Sequence, residues 1–177
     1  MSLCGCLLSA WVLASISVNI QAVEPRFAHV RSADRSMLNL LGEGYRNSPT
    51  LRKLVDLLDA SNVIVYVEPG ICAFGHLGGC LLAYIEVAPS AERYLRVAIT
   101  LRQDPRRILS VVAHELQHAR EVAEAPDVTT VDEMLRLFQR IGRAPACPPA
   151  VRACYETSAA VRTGLTVLNE LSAAGVK

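Results

Sequence analysis

Asp104-Pro105-Arg106-Arg107-Ile108-Leu109-Ser110-Val111-Val112-Ala113-His114-Glu115-Leu116-Gln117-His118 is the stretch on which the fold turns. An aspartate followed by proline starts a helix: the carboxylate can accept a first-turn N–H, and proline lacks the N–H that would go unpaired there. Ile108, Leu109, Val111, Val112, Leu116 and Val122 recur at helical spacing and supply core contacts, and Pro126 ends the run. A helix is therefore predicted from Asp104-Pro105 to about Glu124.

Upstream of it the pattern changes to period two. Residues 62–68 are β-branched and aromatic (Val63, Ile64, Val65, Tyr66, Val67), Leu81 to Val87 reads as a second strand, and Tyr94 to Leu101 as a third. Turn signals at Pro69-Gly70 and Ala88-Pro89-Ser90 separate them, with no helix between, so antiparallel pairing is expected. Before the strands, residues 35–46 form a helix weakened by Gly42 and Gly44, and Ser48-Pro49 starts another that runs to Ser61-Asn62. After the motif helix come a helix at 130–141, a proline-rich loop at 144–149, and a last helix at 151–173. Segregated strands and helices indicate an α+β fold, with a small antiparallel three-stranded sheet packed on helices.

The 177 residues suffice for one domain with a real core. A formal net charge of +1, with charges well mixed, gives no field that would gather nucleic acid or an anionic membrane. Residues 1–23 carry no Asp, Glu, Lys or Arg, and Leu7 to Ile20 is mostly apolar. Residues 1–22 are read as a signal peptide, leaving 23–177 as a single domain exported to the periplasm or the extracellular space. The rival is an uncleaved membrane anchor, the one route by which the chain would meet a bilayer. Four cysteines outside that segment fall in two local pairs, Cys72 with Cys80 and Cys147 with Cys154, which suit disulfides in an exported chain. Four cysteines permit three connectivities, and a structural zinc is the other reading.

His114 and His118 stand four apart, on one face of the helix and about one turn from each other. Two imidazoles so placed can hold one tetrahedral metal ion, while Glu115, about 100° further round, can reach a metal-bound water without ligating. A catalytic zinc takes three protein ligands and leaves a position for water. His29 and His76, the other histidines, are read as surface or hydrogen-bonded side chains, and no histidine follows the motif. The third ligand is then a carboxylate. Glu156, in Cys154-Tyr155-Glu156-Thr157-Ser158-Ala159-Ala160, is the candidate, since small residues after it would let the last helix lie close to the motif helix. The alternative is a first-turn acid favoured by the helix dipole. Glu121 and Glu124 are expected to be carried away from the imidazoles, solvated or paired with Arg120 and Arg136; Asp127, Asp132 and Glu133 are candidates to receive an imidazole N–H.

This arrangement resembles the zincin metallopeptidases, and among them the gluzincin branch, whose HExxH helix is followed by a glutamate ligand on a later helix. The resemblance covers residues 94–173. It implies a zincin-like domain, His114, His118 and Glu156 as ligands of one catalytic Zn2+, Glu115 as general base, and hydrolysis of peptide bonds in a peptide or protein substrate. An extended substrate would add to strand 94–101, with Arg93, Arg96 and Arg102 preferring acidic residues or guarding the edge. Two features depart from the pattern. Thermolysin-like gluzincins place an aspartate four residues after the glutamate ligand, where this chain has Ala160. Their transition-state histidine or tyrosine has no evident counterpart, Tyr155 being the only tyrosine after the motif. The metzincin pattern fits less well, because its glycine and third-ligand positions are Glu121 and Glu124. The alternative function is an exported zincin-like binding or inhibitory domain without proteolytic activity.

Overall fold

The chain was analysed as a computed structural model that describes residues 27–72, 78–143 and 155–176. The segment 1–22, His76 and the Cys147–Cys154 pair lie outside the described residues. Among those described, no helix is long and apolar enough to cross a membrane.

The elements follow in the order β1 (Val30–Arg31), α1 (Arg35–Asn47), α2 (Pro49–Asp59), β2 (Val63–Pro69), β3 (Gly79–Leu81), β4 (Glu86–Val87), β5 (Arg93–Ile99), α3 (Pro105–Ala123), α4 (Val131–Ile141) and α5 (Ser158–Ala173). The fold is helices on a mixed sheet, α+β in class. Local chemistry sets the helix starts: Asp34, Ser48, Asp104, Thr130 and Thr157 each accept a first-turn amide, and Thr130 with Glu133 forms a reciprocal capping box.

The sheet differs from the expected three-stranded antiparallel one. Its order is β1-β2-β5-β3, with β4 also on β5. The long pair, β2 and β5, is parallel, running from Val63↔Arg93 to Pro69↔Ile99. β5 therefore inserts between β2 and β3 instead of following at an edge. Burial explains the choice: Leu95, Val97, Ala98 and Ile99 are all buried, as an interior strand requires, while β4 is exposed at both residues and belongs at an edge. The single strand expected at 81–87 is two pieces. Between Leu81↔Val97 and Glu86↔Tyr94 the chain spends four residues against two on β5, and the Tyr84 amide bonds back to the Leu82 carbonyl at 2.7 Å, breaking the ladder.

Val63, Val65, Val67, Leu95, Val97 and Ile99 point from the sheet into one core shared with the helices. The other sheet face carries the stacked rings of Tyr66 and Tyr94, and Arg96 over Tyr84. α3 is the central helix, packed on α1, α2, α5, β2, β3 and β5. Three glycines set how closely it is approached. A Cβ on Gly44 would lie 2.5 Å from Leu51 Cδ2 and 2.9 Å from Leu109 Cδ2, so the residue that weakens α1 as a helix lets α1 meet α2 and α3. On Gly79 it would meet Val111 Cγ1 at 2.6 Å, and on Gly164 the Ser110 carbonyl oxygen at 3.1 Å, so β3 and α5 both press against α3. Ser110 Oγ donates to the Gly164 carbonyl at 2.9 Å, which fixes the α3–α5 crossing.

Arg93 also departs from expectation. It is 1% exposed and guards no edge. Its Nη1 donates to the Val122, Ala125 and Val128 carbonyls, and Nη2 to Ala123 O and Asn62 Oδ1, so it closes the C-terminal end of α3.

Candidate metal centre

The motif lies in the middle of α3, where its two histidines and its glutamate are held by different neighbours. The His114 and His118 rings are 5.0 Å apart and edge-on, and the edge contact of His118 with Phe138 of α4, 5.3 Å between centroids, wedges the second ring. Both Nε2 atoms turn to Glu156: His114 Nε2 is 3.1 Å from Oε2, and His118 Nε2 is 3.4 Å from Oε1. The pairing expected between the motif helix and Glu156 is therefore present. One donor atom from each of His114, His118 and Glu156 lies within 4.8 Å of the others.

Glu156 is not on the last helix. α5 begins at Ser158 with Thr157 as its N-cap, and Glu156 sits before it in extended backbone, paired with Arg143 through two hydrogen bonds of 2.8 and 2.9 Å. The reading of Glu156 as a first-turn helix acid is thereby corrected as well. A β-bridge to the end of α4 fixes its backbone more tightly than a frayed first turn would.

Glu115 faces the same cavity from a different angle. It is 6% exposed, and its Oε2 accepts the Leu81 amide of β3 at 2.7 Å. Burial pushes its carboxyl above the usual carboxylate range, against the opposing pull of the two imidazoles and the Leu81 N–H. Glu156 behaves oppositely. Its partial burial would raise it, yet the hydrogen bonds from His114 and His118 prevail and bring it to about 2. Burial disfavours charge on His118, but hydrogen bonds to Glu121 and Glu156 outweigh it and raise that imidazole to about 9.

Glu121 was expected to point away, and it does not. It is 8% exposed, with Oε2 3.0 Å from His118 Nδ1 and Oε1 accepting the Thr157 hydroxyl at 2.7 Å. The signal was available: three residues on from His118, it shares that helix face. Glu124 does turn to solvent and pairs with Arg120 at 2.6 Å. Of the acids offered as partners for an imidazole N–H, Glu133 is spent on the α4 cap, Asp132 is exposed, and Asp127 acts on Arg93. His29 is hydrogen-bonded through Nδ1 to the Leu58 carbonyl, away from the motif.

The donor set suits zinc. Two imidazole nitrogens and one carboxylate form a borderline-soft N2O set, and ligands about 2.0–2.1 Å from the centre of a tetrahedron stand roughly 3.3–3.4 Å apart. The 3.1 and 3.4 Å separations run to different oxygens of Glu156. One donor atom from each side chain lies within 4.8 Å of the others, so small side-chain adjustments would close the set around one ion. The three side chains line a cavity of about 650 Å3, whose other walls include Leu82, Val111, Met134, Phe138, Tyr155 and Val161. Cys80 and Leu81 of β3 line it too, and the expected Cys72–Cys80 disulfide is formed, with Cα atoms 6.0 Å apart, tying the strand to the residues after β2. Neither a family model, nor a curated protein, nor a solved structure matches the chain.

Proposed function

We propose that the chain is a zinc-dependent metallopeptidase with a zincin-like site of gluzincin type, in which His114, His118 and Glu156 hold one zinc ion and Glu115 is the general base. The observation that carries the reading is convergence: two imidazole Nε2 atoms and a carboxylate meet on one cavity wall, with a second, buried carboxyl beside them. Bound zinc would supply Lewis acidity, acidifying a water and polarising the substrate carbonyl.

The remaining steps belong to the protein. Glu115 accepts the proton of the attacking water and returns it to the leaving amine, as a general acid–base group must. The Leu81 N–H holds the carboxylate in place through Oε2. An extended substrate would meet the cavity beside the edge strand β3, whose Leu81 amide is already committed to Glu115, and not along β5, which is paired on both sides. The apolar cavity walls suit a large apolar side chain next to the scissile bond, in place of the acidic preference drawn from Arg93, Arg96 and Arg102, none of which lines the cavity. The Cys72–Cys80 disulfide is compatible with an exported enzyme.

The test is hydrolysis of casein and of unstructured peptides, with and without chelator, by the parent and Glu115→Gln. The variant should retain zinc and lose roughly 10²–10⁴-fold in rate, the usual share of a general acid–base group. Parent-like activity in Glu115→Gln excludes the mechanism. Zinc binding with no hydrolysis of any peptide favours the binding or inhibitory domain.

A further inference from the structure

Glu121 and Thr157 stand outside the ligand set and are buried, with 8% and 4% of their surfaces exposed. A carboxylate is rarely removed from water without a partner that repays its desolvation. Among the described residues no lysine or arginine pairs with Glu121; its partners are the His118 imidazole and the Thr157 hydroxyl.

The contacts form a closed circuit. His118 Nδ1 meets Glu121 Oε2 at 3.0 Å, and Glu121 Oε1 accepts from Thr157 Oγ1 at 2.7 Å. The Thr157 amide donates to Glu156 Oε1 at 2.9 Å, and that oxygen faces His118 Nε2 at 3.4 Å. Thr157 Oγ1 also accepts the Ala160 amide at 3.1 Å, so its single proton is committed to Glu121. An imidazole that ligates through Nε2 must carry its proton on Nδ1, and a carboxylate on Nδ1 selects that tautomer and holds the ring plane.

We infer that Glu121 and Thr157 are positioning residues for the metal site, with Glu121 fixing the tautomer and orientation of His118 while Thr157 couples it to the Glu156 segment. The inference rests on the metal reading given above. It also accounts for Ala160, since the orienting carboxylate comes from the motif helix itself, three residues beyond the second histidine, and the position after the glutamate ligand is free to be small. Both members of the circuit are tied to helix geometry: Glu121 by its place on α3, Thr157 by its duty as N-cap of α5.

The experiment measures zinc affinity by chelator competition, and the cobalt(II) absorption spectrum, for the parent, Glu121→Gln, Thr157→Val and Thr157→Ser. Far-UV circular dichroism in chelator verifies that each is folded. Glu121→Gln should weaken zinc by roughly 10–100-fold, the usual cost of losing an outer partner of a ligand, and shift the cobalt bands. Thr157→Val should weaken zinc in the same direction, and Thr157→Ser, which keeps hydroxyl and cap, should restore parent affinity. Glu121→Gln that folds and binds zinc like the parent overturns the inference while leaving the metal reading intact. If Glu121→Gln does not fold, the threonine pair decides: equal affinity in Thr157→Val and Thr157→Ser overturns it. A folded parent that binds no zinc removes the metal reading, and this inference with it.

Discussion

Two buried polar clusters sit on α3, one at its end and one at its middle, and they do opposite things with the same burial. At the end, the Arg93 guanidinium donates to four backbone carbonyls and the Asn62 amide oxygen. Donors meet acceptors, and the cluster is nearly self-sufficient. At the middle, His114, His118, Glu115 and Glu156 bring lone pairs toward one cavity, with the imidazole protons and the Leu81 and Thr157 amides set among them. An excess of acceptors facing a common space is what a cation satisfies. Polar burial alone does not distinguish the two clusters; what separates them is that the middle one turns its side chains onto a cavity.

The comparison can be broken most forcefully at its structural pole. Arg93→Ala takes a donor from four carbonyls, of which those of Val122 and Ala125 keep a backbone amide. Those of Ala123 and Val128 lose the guanidinium at ~1–3 kcal/mol each, so a loss of at least about 2 kcal/mol is expected in urea unfolding. Zinc affinity of the folded fraction should stay within a few-fold of the parent. A large fall in affinity with little loss of stability would mean the two clusters are one.

At the metal pole the expected effect is a gain. Zinc at about 100 times its dissociation constant should stabilise the parent by roughly 2.7 kcal/mol, and the same increment should survive Arg93→Ala, because only the native state presents the site. Thermal unfolding with and without zinc reads it directly. An unchanged midpoint in the parent would leave the central acceptors without the cation they imply.

The smallest effect lies on the rim, at the α4 cap. Hydrogen bonds from Thr129 and Thr130 hold Glu133 down at about 2. A carboxyl lowered in the folded state adds stability above its ordinary value of about 4.5, and that contribution is lost as pH falls toward 2. Glu133→Gln should therefore narrow its stability difference from the parent over that acid range and leave zinc binding at neutral pH unchanged. A neutral-pH change in zinc affinity would draw α4 into the site.

Much of the site was legible because helix spacing fixes it. His114, Glu115 and His118 needed no tertiary information, and the caps Ser48-Pro49 and Asp104-Pro105 placed α2 and α3 within a residue or two. Glu156 could be nominated by elimination, but its backbone state could not, since its bridge to Arg143 is a long-range contact. Glu121 is legible from its three-residue spacing to His118, which puts it on that ring's helix face whether or not it ligates. The sheet was the least legible part. β1 has two residues and no periodicity to show, and whether β2 and β5 run parallel depends on which strand takes the interior. Nothing in a hairpin-like run of turns announces that the third strand will slip between the first and second.

The central claim is that Glu156 completes a three-ligand zinc site with His114 and His118. Metal analysis after dialysis against limiting chelator tests it most directly, on the parent and on Glu156→Ala verified as folded. The account predicts one zinc per chain in the parent and a clearly depleted Glu156→Ala. Full zinc in Glu156→Ala, or none in the folded parent, would contradict it.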